Sequence, residues 1–283
     1  MGGVHGDDRE PRRPRSDQLT REAEGSRRED SLGAGTLSSL LRRRLLNDEG
    51  DLNAGAQDDR RFWRALAGET SGPIVELGCG AGRILQALEA RDRRLIGLDR
   101  DPEAIALARE RLPSAELLQV DLLHWLPPES LARSAGLVIA GGDLLPLLLD
   151  DGELRRLMAL AAHLLAPHGV FAIDATRIDP ELLQAAVGDA AWAEDVRWRA
   201  DDGAEITRQS RLSPDRLGRE RVAQLEIRHA RSGPGGYVEA RAPFSVRAWS
   251  GEEVAEAARA AGLTVATRLE EDRLRWLLRS THA

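Results

Sequence analysis

The sequence predicts an α/β chain built on a doubly wound, mostly parallel sheet. Three observations carry this. Short apolar runs alternate with longer amphipathic segments between residues 74 and 171. The first run passes directly into a glycine-rich stretch, Gly78-Cys79-Gly80-Ala81-Gly82, and the second ends in an acid, Asp99. Strand–helix alternation of this kind gives right-handed βαβ units, because a parallel neighbour can be reached only by a crossover.

Taken in order, residues 1–36 hold Arg, Asp, Glu, Gly and Pro with almost no large apolar side chain. Such a segment buries too little surface to offset its ordering entropy, and a disordered tail is expected there. Two helices follow, "LSSLLRRRLLN" and "AQDDRRFWRALAG". The core strands are "PIVEL", "RLIGL", "ELLQV", "GLVIA" and "GVFAI". Between them lie helical patterns over Glu103–Leu112 and Glu153–Leu165; in the latter, Leu154, Leu157, Met158, Ala161, Leu164 and Leu165 repeat at the spacing of one buried helix face.

After Asp174 the character changes. Residues 194–248 read as polar, alternating strands separated by glycine turns, an antiparallel insertion and not more of the core sheet. "WSGEEVAEAARAAGL" opens with a capping box, Ser250 and Glu253, and stops at Gly262. "TVATRLE" and "RLRWLLRS" close the chain as a strand pair, which brings the expected core sheet to seven strands. One domain over 37–283 is expected, with 194–248 as a lid or substrate-side wall over it, or else a dimer contact.

Composition narrows the partners. A formal charge of −7 argues against a nucleic-acid partner, and no run approaches the length of a membrane span. Cys79 is the only cysteine, which excludes an internal disulfide framework and a cysteine-cluster metal site; no metal is expected. The N-terminal residues lack a signal-peptide apolar region and fail the myristoylation pattern. A cytoplasmic monomer or homodimer is expected.

The glycine stretch and the acids around it carry the chemistry. Ligands of a parallel sheet bind beyond the carboxyl ends of its strands. A dinucleotide pyrophosphate wants G-x-G-x-x-G, but this loop is G-x-G-x-G, with Arg83 where the third glycine would fall. Glu76 sits at the end of the preceding strand, where it would repel a pyrophosphate and attract an ammonium or sulfonium. The loop therefore suits a cationic amino-acid nucleoside better than a dinucleotide. Asp99 is placed to accept from a ribose diol, and Asp121, after the third strand, from an adenine amino group with Leu122 beside the base. Asp101 followed by Pro102 reads as a helix cap and not as a ligand contact.

At these residues the chain resembles class I S-adenosylmethionine-dependent methyltransferases, whose fold is a Rossmann-like seven-stranded sheet. "VELGCGAGR" looks like their first motif and "IGLDRDPEAIALAR" like their second; "LLQVDLLHWLP" and the segment from Gly136 to Gly169 are similar to later ones. The lead-in over residues 58–83 resembles bacterial small-molecule members that act on sarcosine, glycine or aminosugars. The resemblance implies that S-adenosylmethionine is the cofactor. It implies that Glu76 engages the methionyl amino group, and that Gly78, Gly80 and Gly82 line the methionine moiety with the Cys79 backbone. Asp99 would hold the ribose and Arg100 flank the adenine, with Asp121 and Leu122 at the adenine edge and face. Ala140 would lie near the reactive end. The chain departs from the pattern at Ala81, at Pro167-His168-Gly169 and at Gly141-Gly142-Asp143, the last bearing on the acceptor.

A sulfonium methyl is already activated, so catalysis is largely in-line positioning in a site that excludes water. Asp143, just beyond the fourth strand, is the expected base or ammonium-orienting group for a small-molecule acceptor, at nitrogen or oxygen. His124 is an alternative base, though a lone histidine there is more often packing or surface. Trp63, Trp249 and Tyr237 are candidates for an aromatic wall. Two other readings stand beside this one: a non-catalytic S-adenosylmethionine-binding regulator or assembly partner, and a nicotinamide-dependent oxidoreductase, against which Glu76 and the missing third glycine speak.

Overall fold

The computed structural model describes residues 56–89, 93–185, 191–199, 203–233, 236–270 and 273–281. The expected tail over 1–36 and the helix expected at 37–47 lie outside the described residues. Helix α1 (Ala56–Gly68) leads into β1 (Ile74–Leu77), α2 (Arg83–Leu88), β2 (Leu95–Asp99), α3 (Pro102–Arg111), β3 (Glu116–Gln119), β4 (Ala135–Ala140), α4 (Asp151–Leu164) and β5 (Leu165–Thr176). A short α5 (Pro180–Ala185) is followed by β6 (Ala193–Arg199), β7 (Glu205–Pro214), β8 (Val222–Gly233) and β9 (Gly236–Arg247). Helix α6 (Gly251–Ala260), β10 (Leu263–Glu270) and β11 (Arg273–Ser280) end the fold.

The main sheet has seven strands in the order β10-β11-β5-β4-β1-β2-β3. β1 through β5 pair in parallel, and β11 inserts antiparallel between β5 and β10. The order reverses between β1 and β4, the switch point where a parallel sheet leaves a crevice beyond its carboxyl ends. The expected doubly wound sheet and its closing strand pair are both present.

Strand side chains alternate between two apolar layers. On one face Val75, Leu77, Ile96, Leu98 and Val138 meet Leu154, Leu157 and Met158 of α4 and Val254, Ala257 and Ala258 of α6. On the other, Ile74, Leu95, Leu117, Leu137 and Ile139 meet Trp63 and Leu66 of α1, Ile84, Leu85 and Leu88 of α2, and Ile105 and Leu112 of α3. Each fully buried aliphatic side chain contributes about 1.5–3 kcal/mol. Helix starts follow local chemistry: Asp101 accepts from the Glu103 and Ala104 amides, Asp150 from Glu153, and Ser250 with Glu253 forms the reciprocal box. No helix among the described residues is long and apolar enough to cross a membrane.

The expected insertion is a separate four-stranded antiparallel sheet, order β6-β7-β8-β9. Two features seat it. Leu183 of α5 and Ile178 pack with Ala223, Leu212 and Ala248. Beyond β9, the buried Trp249 indole N–H donates to both the Leu145 and Leu148 carbonyls at 3.1 Å, with the Arg247 guanidinium 3.8 Å above its ring. Arg247 and Arg221 both reach Glu253 at the start of α6, at 3.0 and 2.6 Å.

Trp249→Phe keeps most of the buried apolar area but leaves two buried carbonyls without their shared donor. The expected cost is about 1–3 kcal/mol, read as a lower midpoint in chemical denaturation. Tyr237→Phe, exposed on β9, is the control that leaves the midpoint in place.

Candidate active site

β1 ends at Leu77, and the Gly78 and Cys79 amides both donate to the Leu98 carbonyl, at 2.7 and 2.9 Å. The chain then alternates in hand. Gly78, Gly80 and Gly82 have φ of 71°, 52° and 80°, left-handed values that glycine adopts without a Cβ penalty. This is why the glycines recur at every second position. A Cβ on Gly82 would stand 2.7 Å from Leu112, and one on Gly78 3.1 Å from Leu144. A Cβ on Gly80 would meet nothing within 4 Å, so this residue faces open space at the lip of the crevice.

Asp99 ties the glycine loop to the end of β2. One carboxylate oxygen accepts from the Gly80 amide at 2.8 Å, the other from the Asp101 amide at 2.8 Å. Glu76 shares the sheet face of Ile74 and is 2% exposed. Its Oε2 is buried without a hydrogen-bond partner, and burial raises its pKa to about 8 despite the nearby Arg83 and an amide of α2 at Leu85. Beside it Asp59 of α1 reaches Arg83 at 2.6 Å, with its own Oδ1 buried and unpartnered. A buried acceptor on a carboxyl group, next to a lip with no side chain, is what a cationic amino-acid end of a ligand requires. On that observation the cradle fits S-adenosylmethionine.

The other expected cofactor residues line the same edge of the sheet. Cys79 is buried and its thiol is pushed well up by burial, which leaves it inert and its backbone as its contribution. Arg100 is exposed at the end of β2. Asp121 accepts from the Leu123 amide at 3.0 Å and faces the His124 Nδ1 at 3.0 Å; the first bond and then the second hold its pKa down. Leu122 is half-buried and packs against the core, and Ala140 is fully buried at the end of β4. His124, hydrogen-bonded to Asp121, is outside the crevice walls, with a side chain 78% exposed.

Beyond β4 the backbone passes close over α1 and α2. A Cβ on Gly141 would lie 2.5 Å from Ile84 and 3.2 Å from Trp63. Gly142 and Asp143 are both left-handed, at φ of 59° and 66°. Such a conformation is unusual for a non-glycine residue, and contacts hold it. The Asp143 carboxylate accepts from the Thr176 amide at 2.6 Å and hydroxyl at 3.1 Å, and from Arg273 at 3.2 Å. Arg273 in turn meets the buried Asp174 at 2.7 Å, which Arg275 also meets at 3.0 Å. The residue expected as a base is thus occupied on both oxygens by the ends of β5 and β11.

The expected aromatic wall does not assemble. Trp63 and Trp249 are buried in opposite layers, and Tyr237 is 61% exposed with its hydroxyl on Glu239. Sequence reasoning missed the Asp59–Arg83 pair and the Asp174–Arg273–Arg275 cluster. Asp174, an acid inside the otherwise apolar "GVFAID", was the available signal for the second. The first had none, since it joins residues far apart in the chain.

Comparison with known proteins agrees with this geometry. Residues 74–169 match a family model described as a methyltransferase domain. Trans-aconitate 2-methyltransferase of Acidovorax sp. (strain JS42) is 32% identical over 142 residues, 47% of this chain and 51% of that protein. That of Paracidovorax citrulli is 36% identical over 107 residues, 35% of this chain and 37% of that protein. The chain thus spans about half the length or less of these relatives. Among solved structures, Streptomyces venezuelae DesVI superposes with a TM-score of 0.66 at 24% identity, covering 89% of this chain and 98% of its own. CalS10, an amino pentose methyltransferase from Micromonospora echinaspora solved with S-adenosylmethionine bound, gives 0.62 at 24% identity, covering 78% and 88%; both show the shared fold. Residues 74–169, which carry the three left-handed glycines and the buried glutamate, are thus similar to a methyltransferase domain, and the strand order around them is the one these solved methyltransferases share as a fold.

Proposed function

We propose that the chain transfers a methyl group from S-adenosylmethionine to a nitrogen or oxygen of a small molecule. The observation that carries this is the unpartnered, buried carboxyl of Glu76 beside the open lip at Gly80. When bound, the donor supplies a methyl already activated on sulfonium. Glu76 holds the methionyl ammonium, the turn over 78–82 presents backbone to the methionine chain, and Asp99 accepts the ribose hydroxyls on the lone pairs that Gly80 and Asp101 leave free. Asp121 and Leu122, with Arg100 at the flank, take the adenine, and Ala140 backs the reacting end. Water is excluded by the approach of Gly141 to Trp63 and by Leu144 lying over Gly78. The named relatives act on different acceptor types, a tricarboxylate in one case and an amino pentose in the other. A panel containing trans-aconitate and amino sugars, read by mass detection of methylated product, is the direct test.

In this reading Asp143 holds the acceptor-side loop and does not take the acceptor's proton, because both its oxygens already accept from Thr176 and Arg273. Asp143→Asn should therefore lower kcat by less than about tenfold and leave the pH–rate profile unmoved, whereas a general base contributes about 10²–10⁴-fold. A loss beyond a hundredfold together with a missing acid limb would return the base role to Asp143.

Asp99→Asn removes one acceptor from a group that serves two amides. S-adenosylhomocysteine should bind at least about tenfold more weakly by calorimetry, the loss of one or more hydrogen bonds to a charged group. Unchanged affinity would remove Asp99 from the ribose site.

The Glu76 carboxyl gives a pH dependence of defined sign. Its folded pKa of about 8 lies above the ordinary 4.5, so the ligand-free protein keeps a proton there that a cationic ligand must displace. Affinity for S-adenosylmethionine should rise between pH 6 and 8, by up to about tenfold per unit, and Glu76→Gln should flatten that slope. Without ligand the sign is opposite. The folded state binds more protons than the unfolded one between 4.5 and about 8, and stability falls as pH rises through that window.

A further inference from the structure

The antiparallel sheet has two unlike faces. On one, Trp192 lies beneath the guanidinium groups of Arg228, Arg211 and Arg241, at 4.5, 4.7 and 5.6 Å. Each of these arginines has a partner: Arg211 meets Glu226 at 2.6 Å, Arg241 meets Glu239 at 2.9 Å, and Arg228 donates to Gln209. That face is a closed set of stacked and paired groups.

The other face carries Arg208 of β7 directly across from His229 of β8. Strand alternation puts both on the side of Leu212 and Ala223, which pack against Ile178 and Leu183 just after β5. β5 ends at Thr176, whose amide donates to Asp143, and Ile178 and Leu183 follow it in the chain, so the face that carries Arg208 and His229 is the one that turns toward the segment after β5. His229 is 7% exposed, and its Nε2 is buried without a hydrogen-bond partner. Arg208 has its Nε in the same condition. Its ion-pair partner is Asp195, 3.4 Å from the Nη1 end, and Asp195 also accepts from Ser210 at 2.7 Å. The Nε edge is thus left as a buried donor with nothing to donate to. A buried polar atom without a partner costs about 1–3 kcal/mol, and two of them opposite one another across a ladder mark a place where a ligand atom belongs.

Resting on the methyl-transfer reading, we propose that Arg208 and His229 hold an oxyanion, a carboxylate or phosphate group of the molecule that is methylated. The Arg208 Nε–H donates to one oxygen of that group and the His229 Nε2–H to another, with Ile227 and Leu225 of β8 on the same face as the apolar floor. Burial and Arg208 hold the His229 pKa down at about 4, so in the absence of the anion the imidazole is neutral and adds no second charge to the site. Asp195 pairs with the Nη1 end of Arg208, and an oxyanion would take the Nε edge that this pair leaves free. Charge-assisted bonds to a planar guanidinium edge give orientation as well as attraction, which is what an acceptor needs for in-line approach.

The test uses the full chain saturated with S-adenosylhomocysteine, with citrate and inorganic phosphate as probes. Either probe should move the His229 ring resonances. Its Kd should weaken at least tenfold in Arg208→Gln and stay unchanged in Arg211→Gln, which alters the opposite face. A response to citrate alone identifies a carboxylate site, and a response to phosphate alone a phosphate site. In turnover with the acceptor panel, Arg208→Gln should raise KM at least tenfold with kcat within threefold. No shift of His229 with either anion, or equal losses in Arg208→Gln and Arg211→Gln, overturns the anion site. Binding of S-adenosylhomocysteine is measured on the same samples. Its presence alongside a silent His229 defeats the anion site alone, and its absence defeats the methyl-transfer reading.

Discussion

A carboxyl group kept out of water at the end of a parallel strand is the constraint around which the site is arranged. Glu76 lies in the same layer as Ile74, Ile84 and Ile139, with the Leu85 amide and the nearby Arg83 as the polar groups that favour its charge. A fully ionised carboxylate there would cost several kcal/mol, and the pKa near 8 is the response to that cost. Arg83 offsets it only in part, because its guanidinium is already committed to Asp59. The balance is one cation short. A protein that binds a neutral or anionic group at this point would have little reason to keep an acid here, while one that binds an ammonium or sulfonium gains from the charge deficit on binding.

That deficit is useful only if the glycine loop and the loop after β4 stay in register with it. Two carboxylates do this by bridging elements. Asp99 joins the first loop to the second strand through two backbone amides. Asp143 joins the left-handed turn after β4 to the end of β5 and, through Arg273, to β11. The antiparallel β11 thereby acquires a role beyond closing the sheet: it carries Arg273 and Arg275 into the buried Asp174, and so supports the turn from the far side. Truncating this network at Asp174 would leave two arginines facing an apolar strand, which explains why an acid is tolerated inside β5 at all.

The doubly wound parallel sheet, both helix caps at Asp101 and Ser250, and the antiparallel insertion were legible in the sequence because each rests on local pattern: alternation of apolar runs, Asp-Pro at a helix start, Ser and Glu three apart. The placing of Glu76, the glycines and Asp99 at one edge of the sheet was legible for the same reason, since they follow one another along β1 and β2. What was not legible depends on contacts between distant segments. Asp143 reads as a free acid beyond a strand until β11, 130 residues on, delivers Arg273 to it. The tryptophans read as a ligand wall until the two layers of the sheet draw Trp63 and Trp249 to opposite sides. Arg83 reads as a missing glycine, and the structure shows a reason for the side chain: it reaches Asp59 on a helix that precedes the sheet.

On the proposed reading, the inserted sheet separates acceptor choice from donor binding. The glycine turn and Asp99, proposed to hold the donor, lie on loops that also terminate core strands, so any change there disturbs the packing of β1, β2 and α2. The insertion is held at its base, by Trp249, Arg247 and Arg221 against the starts of α4 and α6 and by Leu212 and Ala223 against α5. Its remaining length is free of that obligation, and each strand offers a side chain to either face at every second position. One face stacks and pairs Arg211, Arg228 and Arg241 around Trp192. The other leaves a guanidinium edge and an imidazole buried and unmatched. On the proposed reading these two buried polar edges, costly when left unmatched, are where the sheet meets a charge that its apolar surroundings do not supply.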